Sequence, residues 1–321
     1  MKSGMPRTIG VFVLKAIVSI ALIAWALRSV DISAMRAQLA NADPLIVLIA
    51  IALTTGISVI HAERWRIVLE RLGFALRFGR AWRLVLIGYF FNQTLPSTMG
   101  GDAFKAWGAY RHGVGVRPAI ASVIIDRIVA LASLLLMVLI GLPWLFEIIS
   151  APSARWAVTG TLAGGVLGMA LLLALGRFSS KLERWHGGRL LIQVADGTRA
   201  MFARTGALLR VISLTVLALA TASYVVHLLA RGLAIPLDLG DALLLVPWVA
   251  LVMVLPISIA GWGLRESAMI VALGLIGIPA AAAFSLSVLS GLVAMASGVP
   301  GGVAWLVTRE SAPGSNERSS R

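Results

Sequence analysis

Three places in the chain set chemistry-bearing side chains inside apolar surroundings. The first, Asn92-Gln-Thr-Leu-Pro-Ser-Thr-Met-Gly-Gly-Asp-Ala-Phe-Lys105, gathers Asn92, Ser97, Gly100, Gly101, Asp102 and Lys105 behind a hydrophobic run. The second is Asp126-Arg127, within a long apolar segment, and the third is Leu255-Pro-Ile-Ser258-Ile-Ala-Gly261-Trp-Gly263-Leu-Arg265-Glu266. An ionisable side chain inside a membrane span costs about 2.5–3.5 kcal/mol on insertion scales, so Asp126, Arg127, Arg265 and Glu266 need compensation. A helix broken inside a bilayer also exposes N–H groups and partial positive charge, which suit a phosphate or carboxylate. The chemistry implied is recognition of a charged headgroup. Gly100, Gly101, Gly261 and Gly263 are read as permitting the turns. Asn92, Ser97 and Ser258 can bond either to freed backbone or to a headgroup, and Asp102 can cap a helix starting at Ala103 or face a ligand.

Those breaks interrupt segments that are too short to cross. Residues 84–95 are 12 in number, which at ~1.5 Å each cover only ~18 Å of a hydrocarbon core ~30 Å thick. Broken backbone at that depth is tolerated where it is buried in protein or lines a wet cavity. Composition agrees: 59% of the 321 residues are hydrophobic, 13% are charged and the mean hydropathy is +0.92, against roughly 25% charged in soluble domains. The formal net charge is +14, but the basic residues fall between apolar segments. That is the distribution of the positive-inside rule and of contact with anionic lipid, not of a nucleic-acid patch. With no cysteine and four scattered histidines, no metal site or cofactor is expected.

Full spans are expected at 9–27, 45–62, 119–142, 156–175, 211–230 and 281–307, the last bent around Gly298, Pro300, Gly301 and Gly302. Segments 84–101 and 242–277 are expected to enter and turn back, from opposite sides. If 84–101 crossed completely, Lys105, Arg111 and Arg117 would face outward and every later loop would invert against the charge rule. Gly160, Gly164 and Gly168 offer a face for close helix packing. From Arg189 onward, Leu190, Val194, Met201, Phe202, Leu208 and Leu209 recur at helical spacing against Arg199, Arg204 and Arg210, predicting an amphipathic helix on the cytoplasmic lipid surface. The expected fold is an all-α integral membrane protein, with about six full transmembrane helices plus two re-entrant broken-helix hairpins in an inverted-repeat arrangement. It forms one domain over 1–310, in halves of about 9–155 and 156–310, followed by a disordered cytoplasmic tail at 311–321.

The succession Leu95-Pro-Ser-x-x-Gly-Gly-Asp102, Ser122-Val-x-x-Asp126-Arg127 and Pro256-x-Ser-x-x-Gly-x-Gly-x-Arg265-Glu266 resembles the lysylphosphatidylglycerol synthase transmembrane region family, over roughly 11–307. The resemblance implies a flippase-like membrane domain. In the best-known members this domain precedes a soluble aminoacyl-transferase domain; with this chain ending at Arg321, the resemblance is to a stand-alone member and carries over no synthase activity. It implies movement of an amphiphilic lipid, whether anionic, aminoacylated, hopanoid or polyprenyl-linked, between leaflets of a bacterial-type inner membrane.

No nucleophile elbow, Gly-Lys-Ser/Thr phosphate loop or complete dinucleotide motif occurs, so no enzymatic constellation is recognised. Three readings remain: a transporter, an intramembrane enzyme acting on a lipid phosphate, and a scaffold partnering a lipid-modifying enzyme. Two pairings follow from charge stoichiometry, Asp126 with Arg265 and Arg127 with Glu266. The headgroup site is then expected between the two hairpin tips.

Overall fold

In the computed structural model of the chain, the residues described are 17, 21, 23–25, 32–40, 42–94, 100–149, 152–175, 188–203, 205–254 and 261–310, and every regular element among them is helical. In chain order these are α1 (Ile32–Ala40), α2 (Pro44–Arg71), α3 (Phe78–Thr94), α4 (Gly100–Arg111), α5 (Val116–Ile148), α6 (Pro152–Leu175), α7 (Gly188–Ala203), α8 (Thr205–Gly232), α9 (Leu239–Val252), α10 (Leu264–Gly274) and α11 (Ala280–Glu310).

Helix length separates two kinds of element. Among the described residues, α2, α5, α8 and α11 contain stretches long and apolar enough to cross a membrane, and they coincide with the expected spans at 45–62, 119–142, 211–230 and 281–307. With 28 residues, α2 extends about 42 Å; with 17 and 12 residues, α3 and α4 extend only about 26 and 18 Å. The pair α9 and α10, with 14 and 11 residues, is equally short. The expected span at 156–175 lies in α6, whose described apolar stretch is Val158–Leu171. Span 9–27 and the tail 311–321 fall largely or wholly outside the described residues.

Local chemistry sets the ends of α2. Asp43 Oδ1 accepts the Leu45 N–H at 2.9 Å, Pro44 stands at the first helical position, and the chain turns off after Arg71 through Gly73 at φ +86°. Helices α3 and α4 then form an antiparallel hairpin. Leu84 meets Gly108 near its outer ends and Gly88 meets Gly101 near the turn, where a side chain on Gly101 would collide with the Gly88 carbonyl. Both outer ends of this hairpin join the same end of the bundle, at the close of α2 and the start of α5. Arg71, Arg77, Arg80, Arg83, Arg111, Arg117 and Arg210 gather at that end, while Asp43, Glu147, Asp238 and Asp241 mark the opposite one.

Helix α11 packs against α10 with one stretch and α3 with another. Gly291 lies against the Arg265 guanidinium; Gly298 and Gly301 lie against the backbone at Phe90 and Leu86. The glycines expected to bend the last span therefore allow close approach to α3, and α11 runs as one helix through Pro300. Among the described residues, three large apolar clusters surround this frame, with a small fourth one around Phe284. The largest joins α5, α8, α9, α10 and α11 through Leu134, Leu229, Leu245, Leu273 and Leu286. Trp65, Leu69, Ala81, Val85 and Ala109 fill the space around the first hairpin, and Ile67, Val68, Ile125, Val129, Val194, Met201 and Val211 join α2, α5, α7 and α8.

Two packing expectations are corrected here. Gly160, Gly164 and Gly168 meet no atom within 4 Å of where a side chain would begin; it is Gly165 that faces Leu135. In the segment beginning at Arg189, Val194 and Met201 are buried among α2 and α5 residues while Phe202 is exposed, so α7 packs much of its apolar side on the protein rather than laying all of it on lipid. Its helix ends at Ala203, and Leu208, Leu209 and Arg210 belong to α8.

Candidate functional site

The residues with chemistry converge where α2, α3, α4 and α5 meet. Arg64 projects from a buried face of α2, between Ile57 and Val68, and Asp126 from the inward face of α5. Arg64 donates to Asp126 through Nε (2.8 Å to Oδ1) and Nη2 (3.2 Å to Oδ2), and its Nη1 reaches Thr215 Oγ1 at 3.4 Å. Lys105 Nζ completes the cluster at 3.3 Å from Asp126 Oδ2. All three are buried, at 5%, 2% and 7% exposed for Arg64, Asp126 and Lys105. One carboxylate thus balances two cations, and the planar guanidinium takes both of its oxygens.

Neighbouring groups fix the orientation of that cluster. Lys105 lies 4.9 Å over the Trp65 ring, whose indole N–H donates to Ser122 Oγ at 3.1 Å; Ser122 in turn donates to the Ala119 carbonyl at 2.7 Å. A 2.6 Å hydrogen bond joins the Tyr89 hydroxyl and His61 Nδ1. At the turn of the hairpin Asn92 Oδ1 accepts the Gly101 N–H at 2.9 Å, satisfying one of the free donors at the start of α4. The Arg127 side chain, 58% exposed, donates from Nε to Asp102 Oδ2 at 2.8 Å.

These groups enclose a cavity of about 200 Å³ lined by His61, Arg64, Val85, Gly88, Tyr89, Asn92, Asp102, Lys105, Asp126 and Arg127. Three cations face two carboxylates across it. At about 30 Å³ per water, the space holds roughly half a dozen waters or a small anion. No group of three or more metal-ligating side chains occurs among the described residues, and the chemistry this lining offers is charge complementarity to an anion.

The sequence-predicted residues divide accordingly. Asn92, Asp102, Lys105, Asp126 and Arg127 meet around the cavity. Asp102 sits in the first turn of α4, which begins at Gly100, and its carboxylate faces Arg127 instead of capping a helix at Ala103. Gly101 serves the contact with Gly88, whereas Gly261 and Gly263, at φ +81° and +84°, do hold the left-handed turn expected of them. Ser97 and Ser258 lie outside the described residues.

The expected pairings of Asp126 with Arg265 and of Arg127 with Glu266 are not formed. Arg265 Nη2 instead reaches its own neighbour, Glu266 Oε1, at 2.7 Å, and stacks 4.7 Å over Trp262. Glu266 Oε2 accepts the Gly263 N–H at 2.6 Å, and Ser287 Oγ lies 3.4 Å from Oε1. This second cluster faces α11 and does not line the cavity, whose described lining comes from α2, α3, α4 and α5; the two tips between which the headgroup site is expected, 95–99 and 255–260, lie outside the described residues. Arg64, Lys105 and Asp102, which stand outside the four charges of the expected pairings, supply the partners of Asp126 and Arg127 instead.

Arg64 was missed because Glu63, Arg64, Arg66, Glu70 and Arg71 together end the apolar run at Ala62, although the helix continues to Arg71. Glu63 and Glu70 pair with Arg66 along one side of the last turns of α2, leaving Arg64 turned inward. The usable signal was spacing: Ile57, Arg64 and Val68 repeat at seven and four. Lys105 likewise shares a face of α4 with Gly101 and Gly108.

The family model described as "Lysylphosphatidylglycerol synthase TM region" matches residues 12–302. A 70-residue stretch is 39% identical to the UPF0104 membrane protein MJ1595 of Methanocaldococcus jannaschii, covering 22% of this chain. The match covers 21% of that protein's length.

Proposed function

Given that this chain belongs to the lysylphosphatidylglycerol synthase TM region family, we propose that it moves an amphiphilic lipid between the leaflets of a bacterial-type inner membrane, without changing it chemically. The observation that carries this reading is the charge-lined cavity at the first hairpin. It lies beside spanning helices, it contains one more cation than carboxylate, and its volume suits a phosphate-sized headgroup. An anionic headgroup would replace water against Arg127 and Lys105 while its tails stay in lipid.

In this reading the α3–α4 hairpin is re-entrant, its outer ends at the basic, cytoplasmic face together with both chain termini. The α9–α10 hairpin enters from the other face, and the two are the counterparts of an inverted repeat, rocking past one another on α11. Arg127, exposed and held by a single carboxylate, makes first contact with the headgroup. Arg64, buried and held in a fork, keeps Asp126 charged and in place.

The test is movement of labelled phosphatidylglycerol, aminoacylated lipid, hopanoid and polyprenyl phosphate in liposomes carrying the purified protein. Wild type moves at least one of them, and Arg127→Ala, at a largely exposed side chain, keeps the fold but slows that movement at least about tenfold. Chemical conversion of a lipid without movement would replace this reading by an intramembrane enzyme. Neither movement nor conversion, with a lipid-modifying enzyme requiring the chain for its activity, would replace it by a scaffold.

A further inference from the structure

A second concave site lies at the basic end and shares no residue with the cavity. It is a notch of about 540 Å³ into which three arginines from three helices converge: Arg71 in the last turn of α2, Arg117 in the first turn of α5 and Arg189 in the first turn of α7. All three are exposed, and none has an ion-pair partner among the described residues. The one carboxylate in the lining, Asp196, is 3.5 Å from Arg199 on its own helix.

Cations are favoured at helix C-termini and disfavoured at N-termini, where the backbone is already partly positive. Arg117 and Arg189 both stand in the first turns of their helices, so the notch collects two guanidinium groups that the helix dipole disfavours and that an anion would offset. The floor is held by packing: a side chain at Gly197 would strike Ile125 at 2.5 Å and Leu72 at 3.1 Å, so glycine there lets α7 close onto α2 and α5. Guanidinium groups assembled this way, with Leu72 and Ile192 beside them, match a phosphate attached to an apolar body.

We propose that this notch binds a phosphate-bearing headgroup, that of an anionic phospholipid in the adjoining leaflet. The binding is separate from the transport cavity and does not depend on transport. Native mass spectrometry of the detergent-purified chain, titrated with phosphatidylglycerol or phosphatidylcholine, reads it directly. Two triple variants carry the test. Arg71→Gln/Arg117→Gln/Arg189→Gln empties the notch, and Arg77→Gln/Arg80→Gln/Arg83→Gln removes the same charge from exposed arginines outside it.

The expected result is preferential retention of phosphatidylglycerol by wild type, weakened about tenfold or more in the notch variant and little changed in the other, with neither unfolding below the wild-type temperature. Competition with glycerol phosphate and inorganic phosphate identifies the source: displacement only by intact lipid supports the phospholipid, and equal binding of glycerol phosphate assigns the same site to a soluble phosphate ester. Equal weakening in both variants, or none in either, would overturn the proposal, because it would reduce the effect to general surface charge.

Discussion

Replacing Asp126 by asparagine keeps the side chain's shape and removes the one charge that two buried cations share. Asp126 is 2% exposed and accepts from Arg64 at 2.8 and 3.2 Å and from Lys105 at 3.3 Å. Taking away one partner of a buried pair costs about 3–5 kcal/mol, because the remaining charge stays out of water without compensation. Lys105 keeps the Trp65 ring face, whereas Arg64 keeps the 3.4 Å contact with Thr215 and one neutral amide oxygen in place of a carboxylate. The loss in Asp126→Asn therefore falls in that range and is dominated by Arg64. Removing all three charges, as Arg64→Met/Lys105→Met/Asp126→Leu, should recover stability to within about 1–2 kcal/mol of wild type, since apolar replacement of a buried ion cluster is often neutral. Reversible unfolding in mixed micelles, followed by circular dichroism, measures each variant. A double-mutant cycle adds a control: Asp126→Asn and Arg265→Met should be additive within about 0.5 kcal/mol, and Asp126→Asn with Arg64→Met strongly non-additive. Should Asp126→Asn unfold within about 1 kcal/mol of wild type, or should the coupling lie with Arg265, the charge network described for the cavity is wrong.

Gly301→Ala should destabilise the protein by roughly 1–3 kcal/mol, because the new methyl meets the Leu86 carbonyl and backbone cannot step aside; Gly164→Ala, with nothing within 4 Å, should stay within about 0.5 kcal/mol in the same unfolding assay. Asn92→Leu removes the acceptor for the Gly101 N–H and should cost about 1–2 kcal/mol, and an Asn92→Asp variant that retains most of the stability would tie the loss to that hydrogen bond. Because the chain has no cysteine, single cysteines report its orientation in intact cells: Arg111→Cys and Arg199→Cys should be protected from an impermeant thiol reagent, and Asp43→Cys and Asp238→Cys labelled. Labelling at 111 from outside would reverse the assigned orientation of the basic end.

Membrane class, the position of four spans and the two interruptions could all be read from hydropathy and helix-breaking residues, because each is a property of a local window. Charge asymmetry between loops could be read too, and in the fold it becomes the two ends of the bundle. Asp102, Lys105, Asp126 and Arg127 were picked out by residue type, but which of them pair, and the part played by Arg64, were not. Pairing depends on which helices become neighbours, and glycine contacts decide that: Gly88 against Gly101 closes the first hairpin, and Gly298 and Gly301 bring α11 onto α3, while Gly291 brings the same helix up to Arg265. With α11 packed against both hairpins, Arg265 and Glu266 satisfy each other within one turn, while Asp126 faces Arg64 on α2. Arg64 itself looks like one more charge of a basic loop, and only the continuation of α2 to Arg71 turns it into the interior. A charge's depth and partner are set by the rotation of its helix and the identity of its neighbour, and neither is a property of the residues beside it in the chain.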